Sequence, residues 1–133
     1  MKDIDTRALM GEAKFYEGYS RWDDNLGRYE TWEESVTRVM DMHREFYKDK
    51  MTDELAILID EAEALYKLKY VLGAQRALQF GGDQILKHQM RMYNCTSSYA
   101  DRPAFFGEMF YILLCGAGAG FSVQHHHIAK LPK

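Results

Sequence analysis

The chain has 133 residues, the usual size of one domain, with 47% apolar and 28% charged residues and a formal net charge of −3. This balance argues against a nucleic-acid-binding protein, because lysine and arginine are scattered rather than clustered. No apolar run approaches the ~20 residues of a membrane helix, and the first five residues lack the apolar core of a signal peptide. We therefore expect a cytoplasmic protein that binds neither nucleic acid nor a membrane.

The chain contains two cysteines, Cys95 and Cys115. This number does not make the disulfide framework of a secreted protein. In a reducing compartment a free thiol is either a small buried hydrophobic group or a chemically used one. Composition leaves both interpretations open.

The first part of the chain is predicted to be helical. Residues 5–17 form a weakly patterned helix, and a break with a turn follows over 18–27. Thr31 and Glu34 have the spacing of a capping box, so a second helix begins there. Its apolar residues recur at the spacing of one buried face and are Val36, Val39, Met40, His43, Phe46 and Tyr47. His43 is interpreted as a core or boundary residue rather than a metal ligand.

Thr52 is predicted to cap a third helix. Its apolar face consists of Leu55, Leu58, Ile59, Ala62, Leu65 and Tyr66. Its acidic residues Asp60, Glu61 and Glu63 are interpreted as a solvated surface, because Glu61 and Glu63 cannot share one helix face. We expect the second and third helices to form an antiparallel hairpin that serves as scaffold.

A strand, a helix and a second strand are predicted after residue 92. Tyr93–Ser97 is typical of a short strand and carries Asn94 and Cys95, and Asp101 is a good N-cap for a helix at Ala104–Cys115. This helix is apolar on most sides, so we expect it to be buried between layers. A strand, a helix and a strand in this order require the two strands to pair in parallel. A single strand–helix–strand unit cannot bury both faces of its own sheet.

Three glycines, Gly116, Gly118 and Gly120, follow that helix. The dinucleotide-binding fingerprint has a strand before its glycines and a helix after them, so it is excluded here. The pattern favours a helix C-cap followed by close approach of the backbone to a neighbour or ligand. The histidines His125–His127 are interpreted as a polar strand end, because alternate residues of an extended segment face opposite sides. We assign no metal site.

Five segments stand out together along the chain. They are 18–22 (GYSRW), 28–36 (RYETWEESV), Arg76-Ala77-Leu78 with Gly81-Gly82, Tyr93-Asn94-Cys95, and 113–123 (LLCGAGAGFSV). In this order and spacing they resemble the large, catalytic chain of ribonucleotide reductases, most closely the adenosylcobalamin-dependent (class II) enzymes. The resemblance implies a mostly helical α+β fold, with an N-terminal helical region at 1–70 whose helical hairpin leads into the start of the catalytic barrel at 71–133. The strand–helix–strand unit would then be the first of an incomplete α/β barrel.

The resemblance also implies roles for particular residues. In that family the cysteine at the position of Cys95 is one of two thiols that reduce the substrate radical and become a disulfide. The family's substrate contacts map onto Arg76 and Ala77, onto Asn94 beside Cys95, and onto Gly118. These positions would hold the phosphates and ribose through backbone N–H groups and small side chains.

Other parts of the family's machinery fall outside this stretch. Relatives carry the second reducing cysteine, the radical-bearing cysteine and most of the adenosylcobalamin site beyond the position of Lys133. We therefore expect a fragment of a larger enzyme, inactive alone, that needs a complementary C-terminal chain and a thioredoxin-type reductant. Asp101 and Arg102 begin the helix that borders the allosteric effector site in relatives. Cys115 matches no catalytic thiol of the family and is interpreted as a buried helix residue.

A second class of function is open on the sequence. The chain is then a non-catalytic helical binding or regulatory module that associates with a partner chain through its apolar strand–helix–strand edge. The reactivity of Cys95 separates the two classes, because a catalytic thiol is accessible and oxidisable whereas a structural one is inert. The choice between a ribonucleoside diphosphate and triphosphate substrate is also open.

Overall fold

Residues 5–132 are described by a computed structural model. They divide into a first unit that ends at Leu86 and a second unit that starts at Lys87. The first unit is helical apart from one short hairpin, and the second contains a two-stranded parallel sheet with helices. The expected mostly helical α+β class is confirmed. The functional boundary between residues 70 and 71 and the incomplete barrel stay predictions.

Residues 5–132 contain seven α-helices and four β-strands. In chain order they are α1 (Thr6–Gly18), β1 (Trp22–Asp23), β2 (Arg28–Tyr29), α2 (Trp32–Tyr47), α3 (Asp53–Lys67), α4 (Gln75–Phe80), α5 (Asp83–Lys87), β3 (Thr96–Tyr99), α6 (Ala104–Leu114), β4 (Ala119–Ser122) and α7 (His125–Ile128). Strands β1 and β2 form a small antiparallel hairpin where the sequence predicted a break and a turn.

Helices α2 and α3 form the hairpin that the sequence predicted. The capping box is present, because the Thr31 hydroxyl accepts from the Glu34 N–H at 3.3 Å and the Glu34 carboxylate accepts from the Thr31 N–H at 2.8 Å. The indole N–H of Trp32 donates to the carbonyl of Lys67 at 3.0 Å. The beginning of α2 therefore lies beside the end of α3, as an antiparallel arrangement requires.

The buried faces of these two helices differ in part from the predicted ones. The buried residues are Ser35, Val36, Val39, Met40, Met42, Ile59, Glu63 and Tyr66. The predicted core residues that are exposed instead are Phe46, Tyr47, Leu58, Ala62 and Leu65. The buried face of α3 consists of Ile59, Glu63 and Tyr66. Side chains of α2 bind the Glu63 carboxylate on this face. His43 is half-buried, and this burial lowers its pKa.

The interpretation of Glu63 as part of a solvated surface is wrong. Its residue surface is 9% exposed, and its carboxylate accepts from the Thr37 hydroxyl at 2.7 Å, from Arg44 at 2.5 Å and from Lys67 at 2.6 Å. Burial alone raises the pKa of Glu63, but the hydrogen bonds from Lys67, Thr37 and Arg44 outweigh it and lower the pKa to about 2. Glu63 therefore ties α2 to α3, whereas its neighbour Asp60 is exposed.

The second unit is the predicted strand–helix–strand arrangement. Strands β3 and β4 pair in parallel, with Thr96 opposite Ala119 and Tyr99 opposite Ser122, and α6 connects them. The core cluster of this unit consists of Ala100, Phe105 and Met109, with Ile112 and Ala119 packed against it.

Two local predictions in this unit are wrong. The first strand begins at Thr96 rather than at residue 93, so Asn94 and Cys95 directly precede it. The pairing starts there because the Thr96 N–H donates to the carbonyl of Gly118 at 2.9 Å. Asp101 does not cap α6, since the residue before the helix is Pro103 and no side chain caps its N-terminus.

Helix α6 is not enclosed between layers in the described residues. Phe105 and Met109 are buried in the core cluster. The large apolar residues of α6 that are exposed are Phe106, Phe110, Tyr111, Leu113 and Leu114. The histidines form the short helix α7 rather than a strand end, since the chain turns back into hydrogen bonds with the carbonyl of Gln124. Among residues 5–132 no helix is both long and apolar enough to span a membrane.

Candidate functional site

Three of the predicted site residues, Asn94, Cys95 and Gly118, lie together in the second unit. A Cβ atom at residue 118 would lie 2.2 Å from the carbonyl oxygen of Asn94 and 3.8 Å from the Cα atom of Cys95. The carbonyl of Gly118 accepts from both the N–H and the hydroxyl of Thr96, at 2.9 and 3.0 Å. Residue 118 therefore needs to be glycine, because no side chain fits between the two backbone segments.

The turn that delivers Gly118 to this position is a helix C-cap. Gly116 has a φ of +88°, which favours glycine, and its N–H donates to the carbonyl of Leu113 at 3.0 Å. The N–H of Ala117 donates to the carbonyl of Ile112 at 3.3 Å, which completes a Schellman motif. The predicted sequence of C-cap and close backbone approach is therefore confirmed, and the neighbour that is approached is Asn94.

The two thiols have different surroundings. Cys95 is free and exposed, as a thiol that reacts with another molecule must be. Cys115 is also free, but it is half-buried at the end of α6. Its interaction with the Tyr111 hydroxyl raises the pKa of that hydroxyl. Cys95 is thus the thiol that the fold presents to solvent.

Arg76 and Ala77 lie on the short helix α4 in the first unit. Ala77 is 4% exposed, its N–H donates to the carbonyl of Ala74 at 2.9 Å, and its own carbonyl accepts from the Gly81 N–H at 2.6 Å. The backbone of Ala77 therefore holds the turn together. The guanidinium of Arg76 lies over the ring of Phe80, 5.4 Å from its centroid. Of this pair, Arg76 carries the charge that suits an anionic ligand.

The predicted effector residues are part of an ion-pair group. Asp101 accepts from Arg102 at 2.7 Å and lies 3.8 Å from the ammonium of Lys130, and Arg102 also pairs with Glu108. The hydrogen bond from Arg102 lowers the pKa of Asp101. Glu108 was not among the predicted site residues, although it is the one charged residue in the apolar helix α6 and this contrast is visible in the sequence.

Comparisons with known proteins agree on one family. Residues 4–79, more than half of the chain, match the ribonucleotide reductase alpha domain model. Curated relatives include the adenosylcobalamin-dependent ribonucleoside-triphosphate reductase of Lactobacillus leichmannii, which is 30% identical over 93% of this chain and 21% of the relative. The enzyme of the same description from Lacticaseibacillus paracasei is 28% identical over 92% of this chain and 20% of the relative.

The fold agrees with a solved structure from the same group. A crystal structure of a B12-dependent (class II) ribonucleotide reductase matches with a TM-score of 0.69 and 27% identity, over 92% of this chain and 21% of that chain. The chain spans about a fifth of the length of the curated relatives that it matches. Because the family model covers more than half of its residues, the chain belongs to the ribonucleotide reductase alpha domain family.

Proposed function

We propose that this chain supplies one reducing thiol and several substrate contacts for the reduction of ribonucleotides to deoxyribonucleotides, the precursors of DNA replication. The observation that carries the proposal is the exposed free thiol of Cys95, held beside Gly118 in a chain of this family. Two free cysteines also suit a reducing compartment, so we place the reaction in the cytoplasm.

In the proposed reaction two cysteine thiols supply the electrons and protons that reduce the ribose. The C2′–OH bond of the ribose breaks, a C2′–H bond forms and the oxygen leaves as water. Two cysteine thiols together give up two electrons and two protons and form a disulfide, which a thioredoxin-type dithiol then reduces. Cys95 is one of these thiols. The other comes from a complementary reductase polypeptide, because Cys115 is half-buried at the far end of α6.

The proposed substrate contacts follow from charge and close approach. The guanidinium of Arg76 binds phosphate oxygens, since a fork of N–H donors matches their geometry. Ala77 holds the turn that carries Arg76. The backbones of Asn94 and Gly118 lie in close contact beside Cys95, and the proposed ribose contacts are the backbone and side chain of Asn94 and the backbone of Gly118. The names of the relatives favour a ribonucleoside triphosphate as the substrate.

Adenosylcobalamin is the cofactor that the relatives' names indicate, and when bound it supplies the radical that starts the reaction. The described residues do not by themselves fit this group. Its broad ring needs a cleft with two walls, whereas the second unit offers a sheet of two strands, and the Nδ1 atom of His127 already lies 3.0 Å from the Ser122 hydroxyl. We therefore propose that the complementary polypeptide forms most of the cofactor's site.

The ion pair of Asp101 and Arg102 is proposed to border the effector site. Its partners Glu108 and Lys130 tie the start of α6 to the segment after α7, so an effector that contacts them changes the position of α6.

A binding module without chemistry is the second candidate, and the exposed apolar residues of α6 favour it. In that case the chain joins a partner through α6 and the thiol of Cys95 is not consumed. The experiment on Cys95 separates the two functions.

The test is a reconstitution of the chain with the complementary polypeptide of the same reductase, adenosylcobalamin, CTP and reduced thioredoxin. We expect neither polypeptide to turn over alone and the pair to form deoxycytidine triphosphate. Cys95→Ser removes one electron donor, so thioredoxin-dependent turnover falls by at least about a hundredfold, while Cys115→Ser retains it. Full thioredoxin-dependent turnover by the Cys95→Ser pair would refute the role of Cys95.

A further inference from the structure

Two arginines from other parts of the first unit hold the end of helix α4. A helix leaves its last carbonyl groups without helical donors, and in α4 three carbonyls at or just past that end are bound from outside. Arg38 donates to the carbonyls of Gly81 and Leu78 at 3.1 and 3.0 Å, and Arg21 donates to the carbonyl of Gln79 at 3.2 Å. We call Arg38 and Arg21 the carbonyl clamp. Its positive charge also suits the negative end of a helix.

A carboxylate in turn fixes the clamp. Glu30 accepts from Nε and Nη2 of Arg38, both at 2.8 Å, and the two side chains are 16% and 15% exposed. The hydroxyl of Ser35, which is fully buried, donates to Glu30 at 2.9 Å. Burial raises the pKa of Glu30, but the hydrogen bonds from Arg38 and Ser35 outweigh burial and lower the pKa. Glu30 is therefore ionised at neutral pH and orients the planar guanidinium of Arg38.

The clamp reaches the proposed substrate contact through Phe80. Phe80 lies between Gln79 and Gly81, whose carbonyls the clamp binds, and its ring lies under the guanidinium of Arg76. Fixing both neighbours of Phe80 fixes the support on which Arg76 rests. A displacement of about 1 Å at such a contact is enough to cost a large factor in substrate use.

We propose that Arg38, held by Glu30, is a positioning residue for the phosphate contact of Arg76. This inference rests on the proposed function, since it assigns Arg38 and Glu30 a part in that site. In the proposed site neither side chain contacts the substrate. Arg38 acts by holding α4, and Glu30 acts by holding Arg38.

A positioning role and a purely structural role predict different kinetics. A purely structural residue, when replaced, lowers the fraction of folded chain, so kcat per total enzyme falls and KM stays the same. A positioning residue, when replaced, weakens the phosphate contact in the molecules that are folded, so KM rises. The split between KM and kcat therefore decides between them.

The experiment uses the reconstituted pair with CTP as the varied substrate. We expect Arg38→Met to raise KM by at least about tenfold with kcat changed less than about threefold. Arg38→Lys keeps the charge but lacks the planar fork of N–H donors, so we expect its KM to lie between that of the wild type and that of Arg38→Met. Glu30→Gln keeps the shape and weakens the hold on Arg38, which raises KM in the same direction.

The matched control is Arg28→Met. Arg28 also pairs with a glutamate, Glu34, at 2.8 Å, but the pair is exposed and the hydrogen bonds of Arg28 go to Tyr29 and Glu34 rather than to carbonyls of α4. We expect its KM to equal that of the wild type. A wild-type pair without turnover overturns the proposed function and the clamp's role with it. If the wild-type pair turns over and Arg38→Met has an unchanged KM, the positioning role of Arg38 is refuted while the proposed function stands.

Discussion

Glu63 and Glu61 are two residues apart on α3 and have opposite surroundings. Glu61 is exposed, whereas Glu63 is 9% exposed and receives hydrogen bonds from Thr37, Arg44 and Lys67. The sequence spacing correctly separates the two side chains onto different faces. It does not reveal which face turns toward α2, because the cationic partner Arg44 comes from another helix. The i,i+4 spacing of Glu63 and Lys67 is visible in the sequence, but an exposed ion pair has the same spacing, and the hydrogen bonds from Thr37 and Arg44 that accompany burial are tertiary.

Replacement of Glu63 tests this difference. Glu63→Gln removes an ionised group from a partly buried network, and we expect a loss of about 2 kcal/mol in the free energy of unfolding at pH 7. Urea titration followed by tryptophan fluorescence measures it, since Trp22 and Trp32 both lie in the first unit. The control Glu61→Gln changes the free energy by less than about 0.5 kcal/mol.

The pH dependence of that loss has a defined sign. The folded pKa of Glu63 is lowered to about 2 from its ordinary value of 4.5, so the ionised form is the one that stabilises the fold. Its contribution is present in full above about pH 5 and is lost as the pH falls toward 2. We therefore expect the difference between wild type and Glu63→Gln to shrink over that range. A difference that stays constant down to pH 2.5 would contradict this assignment.

At the scale of elements, the parallel pairing of β3 with β4 brings two glycines, Gly118 and Gly120, close to the first strand segment with different amounts of space around them. A Cβ at Gly118 would lie 2.2 Å from the carbonyl oxygen of Asn94, whereas one at Gly120 would lie 3.6 Å from that of Thr96, an ordinary contact. Gly118→Ala should therefore push the Asn94 segment away from the turn and break the hydrogen bonds of Thr96 to residue 118. We expect a loss of about 1–3 kcal/mol in the stability of the second unit.

Amide hydrogen exchange measures this effect locally. The amide of Thr96 should exchange faster in Gly118→Ala, because its acceptor is displaced, while Gly120→Ala leaves it protected. Equal protection of Thr96 in both variants would show that the approach at Gly118 is not tight.

The order of the elements in this unit was predictable, and their ends were not. The apolar run of α6 and the glycines after it predict a helix, a C-cap and a second strand, and all three are present. The start of β3 depends instead on where the backbone of residue 118 meets the first strand, which is a tertiary contact. Asp101 does not cap α6, because its carboxylate pairs with Arg102 instead. Helix and strand propensities describe neither the Gly118 contact nor this ion pair.

At the scale of the whole chain, the sequence predicted the protein family correctly but predicted the burial of α6 incorrectly. The order of motifs from residue 18 to residue 123 gave the resemblance, and the family model and the solved structure agree with it. Burial was overestimated for α6, because apolar composition indicates that a helix is to be covered but not by which chain. The relatives are about five times as long as the stretch that matches here, and we propose that the further polypeptide of such an enzyme covers α6.

The exposed apolar residues of α6 accordingly predict how the complementary reductase polypeptide binds. Phe110 is 64% exposed and lies on this surface, and a charge there is costly to bury in an interface. We expect Phe110→Glu to weaken association by more than about tenfold, since burial of a phenylalanine contributes roughly 2 kcal/mol. Isothermal titration calorimetry of the chain with the complementary polypeptide measures the dissociation constant. The control is Met10→Glu, because Met10 is 72% exposed but lies on α1 in the first unit. If Phe110→Glu binds as tightly as Met10→Glu while circular dichroism shows both folded, α6 is not the surface through which this chain joins the rest of the enzyme.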